Sequence, residues 1–197
     1  MIHPSPAASL PLDPRELLLS MRCPMSEHTP DLLAAASTAI TRARALSTPR
    51  TLWRIVSLAW ADGAPTLADV ALPLPGRDIA DHLAGCTRCL LTATTLGIAT
   101  ERELLRLTPS PADALYFDAA CSLLVEAAAE EAEAAILADT AHTRATFRYA
   151  PGYGDLPLTI QPQFLAALDA PRQLGLTLTQ SGLMLPRKSI TGIVGIE

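Results

Sequence analysis

The chain has 197 residues, of which 49% are hydrophobic, 4% aromatic and 18% charged, a balance that builds a packed core and excludes a disordered tail. A formal net charge of −5, a single lysine (Lys188) among fifteen basic residues and only eight aromatics leave neither the basic footprint nor the stacking surfaces of a nucleic-acid binder. No apolar run approaches the roughly 18 residues of a spanning helix, and the proline-rich start lacks the pattern of a secretory signal, so the expected setting is the cytoplasm, away from any membrane.

Residues 1–12 carry three prolines and read as an extended leader. Asp13-Pro14-Arg15-Glu16 has the grammar of a helix start, with Asp as N-cap and Pro at the first position. Thr29-Pro30-Asp31 repeats it and opens an Ala-rich helix to about Leu46. Branched and aromatic side chains over 51–60 predict a strand, and Asp62-Gly63-Ala64-Pro65 a turn into a shorter strand at 66–72. A short helix between Gly76 and Gly85 is expected to end on the second glycine. The threonine-rich apolar run 89–97 suits a buried strand, and a helix follows at about 101–107.

Ser110-Pro111-Ala112-Asp113 opens the longest predicted helix, to roughly residue 138. Its apolar face is read from Leu115, Ala119, Leu123 and Ala127, and its second half, EAAAEEAEAA, as an acidic outer surface. Beyond it, a strand is expected at 143–150, then a Pro/Gly loop, a helix near 161–168, a hairpin over 176–185 and a final strand at 190–196. The mixed order argues against a doubly wound parallel sheet. The expected fold is a single α/β domain of the α+β type, a twisted and mostly antiparallel sheet covered by helices. Its stretches are the leader (1–12), N-terminal helices and hairpin (13–75) and a core (76–197).

Cys86-Thr87-Arg88-Cys89 is a lone CxxC that follows a helix end and enters a strand, which suits neither a four-ligand zinc site nor a redox pair at a helix N-terminus. Four cysteines make no disulfide framework, and no metal site is expected. Asp81-His82-Leu83-Ala84-Gly85 invites comparison with the cobalamin-ligating DxHxxG pattern, but Ala80 stands two residues before His82. His82 is therefore read as a histidine near a helix end.

The segment from Arg148 to Asp155 carries the most chemistry. A strand delivers Arg148; Ala150, Pro151, Gly152 and Gly154 force an open turn with backbone N–H groups expected to be free; Tyr153 and Asp155 project from the same loop. Such a set suits a zwitterionic amino acid, with Arg forking onto the carboxylate and an acidic group meeting the ammonium or a ribose.

Arg148, Gly152 and Tyr153 form an RxxxGY motif. Together with Leu174-Gly175, Leu178-Thr179, Ser181, Met184, Pro186, Ser189-Ile190 and Gly192, the segment resembles the S-adenosylmethionine-binding activation domain of cobalamin-dependent methionine synthase, over roughly residues 76–196. The resemblance implies that Arg148 takes the methionyl carboxylate and that Gly152 and Tyr153 shape the adenosyl pocket. It also implies an acidic residue of the long helix at the ligand, with Asp118 and Glu126 as candidates.

At the level of function it implies a domain that caps a cobalamin held by a partner, a methionine synthase core, while a flavodoxin-like donor supplies an electron and S-adenosylmethionine a methyl group. No homocysteine, folate or cobalamin module accompanies it in these residues, so the expected role is that of a stand-alone activation subunit. The alternative is a non-catalytic S-adenosylmethionine-binding or corrinoid-protein interaction module for another methyltransferase.

Overall fold

The computed structural model describes residues 1–140 and 144–197. Its centre is an antiparallel sheet built on β2 (Arg50–Ala61), β4 (Arg88–Thr95) and β7 (Ser189–Ile196), with β1 (Ile2–Pro4) and β3 (Ala64–Leu67) both pairing with β2. A separate two-stranded ribbon joins β5 (Thr177–Leu178) to β6 (Met184–Leu185). The helices are α1 (Pro14–Ser20), α2 (Pro30–Leu46), α3 (Arg77–His82), α4 (Ile98–Arg106), α5 (Pro111–Asp139), α6 (Gln161–Ala167) and α7 (Ala170–Leu174). This is the mixed, mostly antiparallel architecture expected from the sequence.

Strand alternation divides the core into two faces. From β4, Cys89, Leu91 and Ala93 join Leu52 and Val56 of β2 and Ile193 of β7, under a layer that includes Ile79, Leu83, Tyr149 and Phe164. On the opposite face Leu90 meets Val194, Ile196, Ala132 and Ile136, while α1, α2, α4 and the first half of α5 close a second cluster around Phe117, Leu124 and Ile40. Strand β4 is therefore covered on both sides, which explains why 88–95 reads as an unbroken apolar and threonine run rather than an alternating one. Thr51 and Thr94 satisfy each other's hydroxyls in that dry layer at 2.8 Å.

Local chemistry sets two of the helix starts as expected. Asp13 accepts a hydrogen bond from the Arg15 amide at 2.8 Å, and Thr29 from the Leu32 amide at 3.3 Å; Ser110 makes no such side-chain bond. Residues 2–4 of the leader are not merely extended: they pair with Leu52, Thr51 and Arg50 and so close the edge of the sheet. Ser5 and His3 then tie this edge to Glu131 of α5.

Three expectations change. The buried stripe of α5 runs through Phe117, Cys121, Leu124, Ala128, Ala132 and Ile136, whereas Leu115 is 58% exposed. A strict i, i+4 row advances 400° per step and drifts off the face, so a buried stripe must mix steps of three and four. The strand expected at 143–150 is not regular: residue 143 lies outside the described residues, and the segment from 144 touches β7 through isolated bridges at Ala145 and Tyr149. The second strand of the first hairpin ends at Leu67, and residues 68–75, with Pro73 and Pro75, leave the sheet.

Candidate functional site

The segment 144–149 runs along the outer edge of β7, and its alternation sends Tyr149 into one face of the core and Arg148 onto the face covered by α5. Tyr149 exchanges both backbone hydrogen bonds with Ile193 at 2.8 Å, which pins the segment. Arg148 crosses β7 at Gly192, where a Cβ would stand 2.3 Å from its Cγ and Cδ. Only a residue without a side chain admits the arginine stem here.

The guanidinium lies against the C-terminal half of α5. Nη1 donates to both oxygens of Glu133 at 3.0 Å, and Nη2 to Glu126. Thr92 of β4 donates its hydroxyl to Glu133 at 3.2 Å. The Arg148 and Glu133 side chains are 15% and 11% exposed, Glu126 49%. Burial lifts the Glu133 carboxyl above the usual glutamate range, and the adjacent Arg148 offsets only part of that rise. The arginine is held even more firmly in its charged form by Glu133 and Glu126, which outweigh its own burial.

Beside this cluster is a depression of about 380 Å³, lined by Glu130, Glu133, Arg148, Phe147 and Tyr153. Phe147 and Tyr153 are strongly exposed and continue an aromatic group in which His82 meets Phe147 at 4.4 Å and Tyr149 meets Tyr153 at 5.9 Å between ring centres. His82 shares a 2.8 Å hydrogen bond with the Thr146 hydroxyl; burial lowers its pKa and favours the neutral ring. One guanidinium and two carboxylates, Glu130 and Glu133, line the depression, and Glu126 adds a third negative charge on the guanidinium, so the surroundings favour a ligand that brings positive charge alongside a carboxylate.

The turn that follows is built differently from expectation. Gly152 takes φ +96° and Gly154 φ +50°, and a side chain at Gly154 would meet the Tyr149 hydroxyl and the Asp78 carboxylate. Three of the loop amides are taken: Gly152 donates to Leu156, Tyr153 to Ala150, and Asp155 to the Asp78 side chain. Ala150 and buried Pro151 form the base of this turn.

Asp155 accepts hydrogen bonds from the Arg77 and Asp78 amides at 2.6 and 3.2 Å, and thereby caps α3. Its reciprocal contact with Asp78 locks the loop onto that helix.

Of the two helix carboxylates singled out in the sequence, Glu126 stands on Arg148, whereas Asp118 pairs with Lys188 at 2.9 Å, eight residues and hence about 12 Å nearer the start of the helix. Glu130 and Glu133 were missed. Their signal was spacing: Glu133 lies seven residues, two turns, beyond Glu126 and shares its face.

Cys86 and Cys89 are buried at the turn between α3 and β4, with Cys89 pushed up to about 12 by burial. Among the described residues no group of three or more His, Cys, Asp or Glu side chains could hold a metal ion. No described helix is long and apolar enough to cross a membrane.

The chain thus forms a single α+β domain in which an antiparallel sheet, backed by a long helix, presents an Arg–Glu cluster and an aromatic-rimmed depression at one edge. No protein-family model and no curated protein sequence matches it. Among solved structures it is similar to the MetH reactivation domain crystallised with AdoHcy, with a TM-score of 0.73 over 99% of this chain and 77% of that one. Sequence identity is 15%, so the likeness is one of fold, and it is the fold that the RxxxGY resemblance implies.

Proposed function

We propose that this chain binds S-adenosylmethionine and acts as a reactivation subunit for a cobalamin-dependent methionine synthase core carried on another polypeptide. The observation that carries this reading is the likeness, over nearly the whole chain, to a reactivation domain crystallised with AdoHcy. The RxxxGY residues add to it, since Arg148 and Tyr153 both line the depression. A cytoplasmic setting agrees with the free cysteines of the described residues.

The donor set fits the ligand's chemistry. Arg148 offers a fork for the methionyl carboxylate. Glu130, which lines the same depression, offers negative charge to the ammonium and the sulfonium. Exposed Tyr153 and Phe147 offer aromatic surface to the adenine. Asp118 and Asp155 already have protein partners, Lys188 and the start of α3. The partner's corrinoid would supply the nucleophilic cobalt, and a flavodoxin-like protein the electron. This chain would bind the methyl donor, turn its sulfonium toward the corrin and exclude water.

The test has two stages. Calorimetry with S-adenosylmethionine should give saturable binding that Arg148→Ala weakens by about 2–4 kcal/mol, the worth of a charge-assisted pair. A cobalamin-loaded synthase core lacking its own activation domain should then recover methylcobalamin faster when this protein is present with a reductant and S-adenosylmethionine. Recovery no faster than in its absence would end the proposal.

A further inference from the structure

The two carboxylates on Arg148 are not equivalent. Glu133 is nearly enclosed, receives a second hydrogen bond from Thr92 and binds Nη1 through both oxygens. Glu126 is half exposed and touches Nη2 alone. The arginine itself has little freedom, because its stem is wedged across Gly192. Of the three groups, Glu126 is the one that solvent can compensate if it lets go.

An incoming carboxylate binds a guanidinium best through two parallel N–H groups. With Nη1 taken by Glu133, either edge of the guanidinium that remains must use Nη2. That is the nitrogen on which Glu126 sits.

We propose that Glu126 is a placeholder for a ligand carboxylate: it holds Nη2 of Arg148 and gives way to the carboxylate of an amino-acid-bearing ligand, while Glu133 stays in place as the anchor. This rests on the reading that the depression takes S-adenosylmethionine and its relatives, and adds that Glu126 opposes their binding. The displaced side chain swings into water, so little is lost on its own account. The device keeps Arg148 extended and aimed, and it lowers the net gain in affinity that the ligand's carboxylate brings.

The test compares AdoHcy with 5′-methylthioadenosine, which has the same nucleoside and a thioether but no amino-acid carboxylate, by calorimetry on wild type and Glu126→Gln. Removing a competing half-exposed ion pair should tighten AdoHcy about two- to five-fold and leave 5′-methylthioadenosine unchanged. AdoHcy binding that weakens or stays the same in the variant overturns the placeholder role while leaving the ligand reading intact. Equal tightening of both ligands also overturns it, since the gain would then owe nothing to the carboxylate. If neither protein binds AdoHcy, the ligand reading falls and this inference with it.

Discussion

Arg148 and Gly192 occupy one another's space: the Cγ and Cδ of the arginine lie where a β7 side chain would begin, 2.3 Å from the place of a Cβ. Gly192 sits opposite Thr92 in the β4–β7 register, so the glycine opens a slot between a sheet strand and α5 through which the guanidinium reaches Glu133. Gly192→Ala should push the arginine out and cost about 1–3 kcal/mol, as overpacking does. In a domain of this size that is a fall of several degrees in the midpoint of thermal unfolding, accompanied by weaker AdoHcy binding. An alanine variant as stable as wild type would show that Arg148 does not depend on the slot.

The same arginine neutralises a buried acid. Arg148→Ala leaves Glu133 enclosed with Thr92 as its remaining donor, and breaking such a pair from one side costs about 3–5 kcal/mol. Adding Glu133→Gln to Arg148→Ala should restore a good part of that loss, because the unpaired charge is then gone. Urea unfolding of the two single variants and the double variant measures the coupling directly. Strictly additive losses would mean that the two side chains do not share a charge.

Burial holds the Glu133 pKa above that of an unfolded glutamate. For an acid shifted upward on folding, the folded state binds more protons. Its contribution to stability is complete below the unfolded pKa and is lost as pH rises through the folded one. The stability of wild type relative to Glu133→Gln should therefore decline as pH rises above the ordinary glutamate pKa of about 4. Chemical denaturation of both proteins at several pH values reads this difference, and a difference that grows with pH would reverse the assignment.

The helices were legible because their starts are written in short-range chemistry, as at Asp13-Pro14 and Thr29-Pro30, and the middle strands because β-branched and apolar residues cluster without interruption. The edge was less so. Ile2–Pro4 owes its strand character to pairing with residues some fifty positions away, which no local pattern records. In the site, Arg148, Gly152 and Tyr153 stood out as a motif, but Glu133 lay hidden among four glutamates of one alanine-rich run. Which of them turns inward depends on how α5 is rotated against Thr92 and Gly192, a tertiary fact. Asp155 was legible as a loop carboxylate and illegible as the cap of a helix 78 residues earlier.

That cap makes its own prediction. Asp155 accepts the Arg77 and Asp78 amides of a helix only six residues long, so α3 has little else to start it. Asp155→Ala should cost about 0.5–2 kcal/mol, and Asp155→Asn less, since an amide oxygen still accepts. If the ligand itself needed the Asp155 charge, Asn would lose AdoHcy affinity while keeping stability. Comparing the two variants by thermal unfolding and by calorimetry separates a cap from a ligand contact.

The cysteines differ enough in burial to be counted chemically. Cys89 and Cys121 are enclosed, and burial pushes both thiols up to about 12; Cys86 is buried beside Gly195 and is also shifted upward, by burial and by the nearby Glu197 carboxylate. Cys23, which follows α1, is the one that is half exposed. Because the thiolate is the reactive form and must also be reached, an aromatic disulfide reagent near neutral pH should titrate one thiol quickly in the native protein and all four in denaturant. Cys23→Ser should abolish the fast phase. A fast phase of two or more thiols that survives this substitution would mean that Cys86 and Cys89 are accessible and poised, and the reading of the CxxC pair as packing at the α3–β4 turn would have to be given up.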